Sequence, residues 1–284
     1  YDCIDMSLLR TNGAPKAFKS YFEGDLHVNN LIHASYNGDF HISLFEACHP
    51  RGFFARGGIY GFQDDTERFL YFSRAILDYL KLKKKVPDII HIHDWETAAI
   101  AVLIREKEFR EHFRNTRVIF SIHNMEYQGW CSWKEVEKIG IAAASYKQFE
   151  INGNVNLLKG GLLYADYVTT VSPNYAKEVL TPEGGRGLEG VLQKLGTKFC
   201  GILNGIDTKF WNPDRDPYIA APFSSTKLDD KVKNKYELQK MLGMRQGNEL
   251  PLVVSIARLV PQKGIHLIEH AIKTAAGRYQ FVLQ

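Results

Sequence analysis

The sequence predicts an α/β protein built on a Rossmann-like parallel sheet. Short, almost continuously apolar segments alternate with helical segments along most of the chain, which is typical of parallel sheets covered on both faces. Of the 284 residues, 45% are hydrophobic and 24% are charged, so the chain can bury a sizeable core and is not disordered. Polar residues directly follow several apolar segments, at the position where open parallel sheets bind ligands.

The first 60 residues predict β-structure followed by a loop. Leu31–Tyr36 and Phe40–Phe45 are expected to be strands on either side of Asn37-Gly38-Asp39, because Asn-Gly favours the turns of hairpins. The aromatic and glycine-rich segment 51–61 predicts a loop.

A long helix is predicted to follow this loop. Asp64 and Asp65 are good N-cap residues. Six apolar residues then recur at intervals of three and four, which predicts one buried stripe along the helix. These residues are Phe69, Phe72, Ala75, Ile76, Tyr79 and Leu80.

The middle of the chain alternates between strands and helices. Strands are predicted over Asp88–His93, Arg117–Ile122, Tyr167–Val171 and Phe199–Leu203. Helices are predicted over Ala98–Arg110, Asn156–Ala165 and Pro173–Leu180.

The sequence predicts two unequal domains, an N-terminal domain over residues 1–248 and the start of a second domain over residues 249–284. The boundary follows a proline-containing stretch and a charged helix, Asp229–Met241, and precedes a buried strand, Leu252–Ile256, and a helix from about Gly264 to Ala275. The second part is too short for a core of its own. Both chain ends look cut, so we expect a piece of a longer protein.

Charge and cysteine content exclude several functional classes. The formal net charge of +4 is too small to predict a nucleic-acid or membrane partner, and the basic run Lys81–Lys85 is interpreted as a solvated helix end. No apolar run reaches the roughly 18 residues of a membrane span. The four scattered cysteines, Cys3, Cys48, Cys131 and Cys200, predict neither disulfides nor a zinc site and favour a reducing compartment.

Four polar clusters are candidate site residues, each placed directly after a predicted strand. We expect all four to line one rim, with the site in a cleft between the two domains. They are His91–Trp95, His123–Gly129, Asn204–Asp207 and Arg258–Gly264.

His91 and His93 leave three interpretations open. Alternating strand residues share a face, so the pair resembles the metal-binding histidines of barrel hydrolases, although a barrel needs eight strand-helix units and the chain has about six. Alternatively, His91 bonds internally while His93 and Asp94 shape the strand end, or the pair binds substrate.

His123 suits a polyhydroxylated ligand together with Asn124, Tyr127 and Gln128. Imidazole, carboxamide and phenol each bond hydroxyls, while a flat ring packs on a sugar. A purely structural role, with His123 capping its own strand, is the alternative. No pair of carboxylates stands at suitable strand ends to predict a hydrolytic acid and nucleophile, and the sequence has no Gly-x-Ser-x-Gly motif.

Arg258 and Lys263 are candidate phosphate-binding residues. They lie between a predicted strand and the next helix, where cations and helix N-terminal amides converge, and Gly264 permits close backbone approach. A solvated basic turn is the alternative. A second glycine-rich segment, Glu183–Gly187, lacks P-loop spacing and predicts a flexible binding loop.

Taken in order, these motifs closely resemble those of bacterial glycogen synthases and plant starch synthases, the ADP-glucose-dependent glucosyltransferases of GT-B fold (glycosyltransferase family 5). The helix start with Arg68-Phe69 is also similar. The family's N-terminal Lys-x-Gly-Gly-Leu loop and C-terminal paired-glutamate segment are absent, so we expect the fragment alone to be inactive. The remaining motifs of the resemblance are Ser121–Asn124, Tyr164–Asp166, Thr170–Pro173, Gly201–Asp207, Trp211–Pro213, Ala257–Leu259 and Gln262–Gly264.

The resemblance implies retaining transfer of glucose from ADP-glucose to the non-reducing 4-hydroxyl of an α-1,4-glucan, without metal or cofactor. It implies that Arg258 and Lys263 neutralise the leaving diphosphate, and that His123 and Asn204 bind the transferred glucose. The residues expected on the acceptor side are Asp94, Trp95, Tyr127 and Gln128.

The resemblance also implies a plastid stromal or bacterial cytoplasmic protein that is not secreted, and it predicts no oligomeric state. Two other functions stay open at this point. One is a non-catalytic glucan-binding or scaffolding relative, and the other is a metal-dependent hydrolase that uses His91 and His93.

Overall fold

The computed structural model describes residues 6–36 and 40–284. The predicted turn at Asn37-Gly38-Asp39 and Cys3 lie outside the described residues. The chain groups into two compact units, which divide between Asn204 and Gly205. The domain boundary near residue 248 stays a prediction.

The N-terminal part of the first unit is a four-stranded antiparallel sheet. A 3-10 helix, Met6–Leu8, precedes its strands, and the longest strand, β3 (Asp25–Tyr36), pairs with the three others. The predicted hairpin is confirmed, since Leu31 pairs with Phe45 across the two long strands. The strands are β1 Arg10–Thr11, β2 Lys16–Phe22, β3 Asp25–Tyr36 and β4 Phe40–Ala47.

Strands and helices alternate through the rest of the first unit. The helices are α1 Asp65–Leu82, α2 Asp94–Leu103, α3 Lys107–Arg110, α4 Trp133–Glu137, α5 Ala143–Tyr146, α6 Leu157–Tyr164, α7 Pro173–Glu178, α8 Pro182–Gly185 and α9 Glu189–Leu195. The strands are β5 Ile89–His93, β6 Arg117–Ile122, β7 Trp130–Cys131, β8 Glu150–Ile151, β9 Asn154–Asn156, β10 Tyr167–Thr170 and β11 Phe199–Gly201.

The parallel sheet has the strand order β11-β10-β6-β5, which confirms the Rossmann-like prediction. Its inner strand β6 is buried from Phe120 to Ile122. In β5 only Ile92 is buried, and His91 and His93 are exposed. Burial on both faces is therefore correct for β6 and wrong for β5, which pairs with one neighbour among the described strands.

Helix α1 begins where the sequence predicts, but its surroundings differ from the prediction. The Asp64 side chain bonds Arg56 instead of capping the helix, while Asp65 accepts hydrogen bonds from the backbone nitrogens of Gly61 and Phe62. The helix packs on both β2 and α2, so more than one stripe is buried. Its buried residues are Arg68, Leu70, Tyr71, Ser73, Arg74, Ala75, Leu77 and Tyr79.

The loop 51–62 contains neither helix nor strand, and two arginines hold it. Arg68, with 1% of its surface exposed, donates to the carbonyl oxygens of Phe53 and Ile59 and to Asp65. The Arg56 guanidinium donates to two more loop carbonyls and to the Asp64 carboxylate. Side chains thus satisfy backbone groups that a helix or a strand would otherwise pair.

Helix α2 corrects a second prediction, because it begins at Asp94 and not at Ala98, and it ends at Leu103. The Thr97 hydroxyl lies 2.7 Å from both the backbone nitrogen and the carbonyl oxygen of His93, which fixes the first turn. Residues 94–97, which precede the predicted helix, are therefore helical.

The second unit contains the two predicted helices and the predicted strand, which pairs in parallel with a second strand. The unit is poorly buried. Among its described residues only Gln239 is buried, and Val253 and Val254 of the expected buried strand are exposed. Its elements are α10 Lys231–Met241, β12 Leu252–Ser255, α11 Ile265–Ala275 and β13 Gln280–Leu283.

No helix in the described part of the chain combines the length and apolar character needed to cross a bilayer. Cys48, Cys131 and Cys200 carry free thiols.

Candidate functional site

The carboxyl ends of β5 and β6 bring two histidines together. His93 is in register with Ser121, two residues before His123, and His93 Nδ1 lies 3.0 Å from His123 Nε2. One ring donates and the other accepts, so at least one of them is neutral. Partial desolvation of the His93 ring and the neighbouring imidazoles of His91 and His123 lower the pKa of His93, which favours its neutral form.

Asp94 fixes the loop that follows β6. Its Oδ1 accepts hydrogen bonds from the backbone nitrogens of His123 (2.7 Å) and Asn124 (3.3 Å). Asp94 itself has φ of 51°, a left-handed conformation that is costly for most residues and tolerated by Asp and Asn. Strained backbone of this kind clusters at functional sites.

His91 bonds internally, as one of the three interpretations holds. Its Nε2 lies 2.7 Å from Ser121 Oγ, which lies 2.6 Å from Thr169 Oγ1, so a polar row crosses β5, β6 and β10. Within residues 6–36 and 40–284, no three His, Cys, Asp or Glu side chains are grouped so that they could hold a metal ion.

The loop 123–129 exposes Tyr127 and buries Gln128. Tyr127 is 48% exposed, whereas Gln128 is 4% exposed. The Gln128 amide donates to the carbonyl oxygens of Met125 and Arg186, and it accepts from Asn156 Nδ2 at 2.6 Å. Gln128 therefore holds the loop in place and presents no amide to a ligand.

Trp95 also lies beneath the surface, at 8% exposure. Its ring meets Phe69 edge-on, with 5.4 Å between centroids, and it covers Gly129. A Cβ on Gly129 would lie 2.5 Å from Trp95 Cε3. Of the four residues expected on the acceptor side, Asp94 and Tyr127 reach the surface, and Trp95 and Gln128 support them.

Glu96 and Tyr60 belong to the same neighbourhood, and the sequence reasoning missed both. Burial, with the charges of Asp94 and Asp65, raises the pKa of Glu96 to about 7. The pKa of Tyr60 is also raised, by desolvation and by the Glu96 and Asp94 charges. Glu96 could have been found from the acidic first turn of α2, but the predicted helix began only at Ala98 and left this turn out.

The glycine-rich segment 183–187 packs against the loop 123–129. A Cβ on Gly184 would lie 2.2 Å from the Glu178 carbonyl oxygen, so the glycine allows close packing on α7. Arg186 Nε lies 3.0 Å from Glu126 of the loop after β6. The sequence predicted a flexible binding loop over Glu183–Gly187, and this is wrong for residues 183–185, which belong to helix α8.

Asn204 follows β11 at the same edge of the sheet. The backbone nitrogen of Ile202 still bonds Thr170, so pairing continues beyond the strand, and Asn204 is exposed two residues later. By topology it lies on the edge that carries His93 and His123.

In the second unit, Arg258 and Lys263 lie between β12 and α11. Both are exposed, and neither forms an ion pair with any described carboxylate. Gly264, with φ of 69°, is the N-cap residue of α11, so the helix N-terminus lies one residue beyond Lys263. Two unpaired cations before a helix N-terminus can bind an anion.

Comparisons with known proteins agree with this arrangement. The sequence profile of the family described as "Starch synthase catalytic domain" matches residues 15–194. The whole chain aligns with a glycogen synthase of Protochlamydia amoebophila at 40% identity, covering 60% of that protein. It aligns with the probable starch synthase 4 of Arabidopsis thaliana at 44% identity, covering 28% of that protein.

A solved structure is similar as well. The catalytic domain of starch synthase IV from Arabidopsis thaliana, bound to ADP and acarbose, matches with a TM-score of 0.88 and 43% identity. The match covers 97% of this chain and 57% of that one. The chain thus spans about 60% or less of the relatives named here, and the α/β fold of GT-B type is confirmed.

Proposed function

Because this chain belongs to the family of starch synthase catalytic domains, we propose that the whole protein transfers glucose from ADP-glucose to the non-reducing 4-hydroxyl of an α-1,4-glucan, with retention. The observation that carries the proposal is the cluster at the ends of β5 and β6, in which Asp94 and His93 orient His123. The bound ADP and acarbose of the similar structure support the same substrate classes.

In this proposal, Arg258 and Lys263 stabilise the diphosphate as it leaves glucose. Negative charge grows on the leaving group in the transition state, and preorganised cations lower the barrier by stabilising it. The absence of carboxylate partners among the described residues supports this role, since both charges are available to a ligand.

His123 is proposed to hold the transferred glucose. Its Nε2 bonds His93, which leaves Nδ1 for a sugar hydroxyl. The Asp94 bond fixes the His123 backbone, whose carbonyl oxygen we expect near the anomeric carbon. Asn204 would bond the same sugar.

The glucan end is proposed to meet Asp94 and Tyr127. Trp95 and Gln128 contribute indirectly, because they hold α2 and the loop 123–129 from beneath. We infer a bacterial cytoplasmic or plastid stromal location, since the named relatives are bacterial and chloroplast or amyloplast proteins.

The test is incorporation of radiolabelled glucose from ADP-glucose into glycogen by the full-length protein. We expect Arg258→Ala and Lys263→Ala each to lower kcat by about 100-fold, as loss of a transition-state charge partner does. Lys240→Ala, at an exposed lysine of the same unit, is the matched control. Activity retained in both variants would contradict the assigned roles. Retardation of the protein in a native gel that contains glycogen, without any glucose transfer, would favour a non-catalytic glucan-binding protein.

A further inference from the structure

Helix α6 contacts the end of the loop 123–129 through its first backbone amides. The backbone nitrogens of Leu157 and Leu158 donate to the carbonyl oxygens of Gly129 (3.2 Å) and Gln128 (3.0 Å). The first amides of a helix have no partner within the helix, and here loop carbonyls pair two of them. Five of the eight residues of α6 are buried, so the loop ends on a rigid support.

Asn156, the N-cap residue of α6, is completely buried and uses both ends of its side chain. Its Oδ1 accepts from the Lys159 backbone nitrogen at 2.8 Å, which caps the helix. Its Nδ2 donates to Gln128 Oε1 at 2.6 Å. Capping needs only the oxygen, and serine or aspartate would cap the helix as well. The donor end of Asn156 therefore serves the loop and not the helix.

The bond from Asn156 decides which way round the buried Gln128 amide lies. With Oε1 facing Asn156, Nε2 faces the carbonyl oxygens of Met125 and Arg186, at 3.1 and 3.2 Å. A reversed amide would place its oxygen against these two carbonyl oxygens and its nitrogen against another donor, which is costly in a buried place. Asn156 thus fixes the orientation of Gln128 that joins the loop to the segment 183–187.

Different groups hold the two halves of the loop 123–129. The Asp94 carboxylate holds the first half through the backbone nitrogen of His123. The second half is held by Gln128. Tyr127 lies between them, and no other described residue forms a hydrogen bond with it. The position of Tyr127 therefore depends on Gln128, the next residue, whereas the position of His123 depends on Asp94.

We propose that Asn156 is a positioning residue for the glucan acceptor and not for the donor sugar. By orienting Gln128 it places Tyr127 where the glucan end binds, while Asp94 holds His123 independently. This inference rests on the proposed function, in which Tyr127 meets the acceptor and His123 the transferred glucose. Aspartate has the shape of asparagine without the amide donor, so Asn156→Asp separates this role from helix capping.

The experiment measures glucose transfer by the full-length protein, with glycogen and ADP-glucose varied in turn. In Asn156→Asp we expect the KM for glycogen to rise about 10-fold, as for one lost hydrogen bond, and the KM for ADP-glucose to change by less than about twofold. Adding Asn156→Asp to Tyr127→Ala should cause no further rise, because Asn156 acts through Tyr127. Asn154→Asp, at an exposed position of β9, is the matched control and should leave both KM values unchanged.

Chymotrypsin cleavage after Tyr127, followed by mass spectrometry of the native full-length protein, gives a readout that needs no transfer. We expect Asn156→Asp to speed this cleavage about 5-fold, because the loop opens more often. Cleavage after Tyr218, which is 87% exposed in the second unit, should keep its rate. If the buried charge prevents folding, Asn156→Ser, which also caps the helix and lacks the donor, carries both tests.

Three outcomes would overturn the proposal: an unchanged KM for glycogen, an equal rise in both KM values, or an unchanged cleavage rate after Tyr127. The two readouts also separate this inference from the proposed function. Faster cleavage in a protein that transfers no glucose, even without substitutions, would remove the proposed function alone. Normal transfer with both readouts unchanged in Asn156→Asp would remove the positioning role alone.

Discussion

The carboxylate of Asp94 accepts a 2.7 Å hydrogen bond from the backbone nitrogen of His123, and this bond joins the start of α2 to the end of β6. Asp94 makes this bond from a left-handed conformation, with φ of 51°. One residue thus combines backbone strain with the contact that orients the central histidine.

Replacing Asp94 tests the contact and the left-handed conformation together. We expect Asp94→Ala to lower the free energy of unfolding by about 2 to 4 kcal/mol, because two bonds to a charged acceptor are lost and alanine is disfavoured at positive φ. Asp94→Asn keeps an acceptor oxygen and tolerates the conformation, so it should cost about 1 kcal/mol. Urea denaturation measures the free energy of unfolding of both variants. Equal losses in Asp94→Ala and Asp94→Asn would contradict a role for the acceptor oxygen and for the left-handed conformation.

Gly129→Ala tests the contact with Trp95. The new methyl group would lie 2.5 Å from the Trp95 ring at φ of 64°, so overpacking and strain together should destabilise the protein by about 2 to 4 kcal/mol. Gly153→Ala is the matched control, since its φ is 83° and no atom lies within 4 Å of the added carbon. Thermal unfolding should show a clearly larger loss at position 129, and equal losses would mean that Trp95 gives way freely.

His49 should make stability depend on acidity. Burial, with the nearby charges of His27 and Arg51, lowers its pKa from 6.5 to about 4, and its ring stacks on Phe53 at 4.1 Å. Below pH 6.5 the unfolded chain takes up the proton first, so stability falls as the pH decreases from 6.5 toward 4. We expect His49→Phe to reduce the loss between pH 7 and 5 by about 1 kcal/mol, measured by urea denaturation. His270→Phe, at an exposed histidine of α11, should leave the loss of stability between pH 7 and 5 unchanged.

Glu96 should make stability fall as the pH rises, opposite to the effect of His49. Its raised pKa means that the unfolded chain loses the proton first, so ionisation destabilises the fold as pH rises from 4.5 through about 7. Glu96→Gln should therefore raise Tm at pH 8 relative to the unmodified chain, with a smaller gain at pH 5. Glu183→Gln at an exposed position is the control, and a gain of equal size at both pH values would contradict the assignment.

The sequence predicted the position of β6 well, because an almost continuous apolar run marks this strand. Arg117–Ile122 matches β6 to the residue, and the polar residues after it reach the expected edge. Such local patterns carry both the periodicity and the position of the strand ends.

The burial of Trp95 and Gln128 depends on residues distant in the chain, and so it escaped prediction. Phe69 packs against Trp95 from α1, and Arg186 bonds Gln128 from the segment after α8. Likewise, Asp94 has a left-handed conformation and bonds a strand end 29 residues away, and the local sequence shows neither. Tertiary contacts, which local sequence does not encode, decide which polar residues face a ligand.

The two arginines that hold the loop 51–62 also affect how proteases meet this protein. A protease must draw a segment out into an extended form, and irregular surface loops usually allow this readily. Here the guanidinium groups of Arg56 and Arg68 clamp the carbonyl oxygens of the segment, and trypsin would need the Arg56 side chain that Asp64 already binds. This stretch should therefore survive digestion until the surrounding unit unfolds.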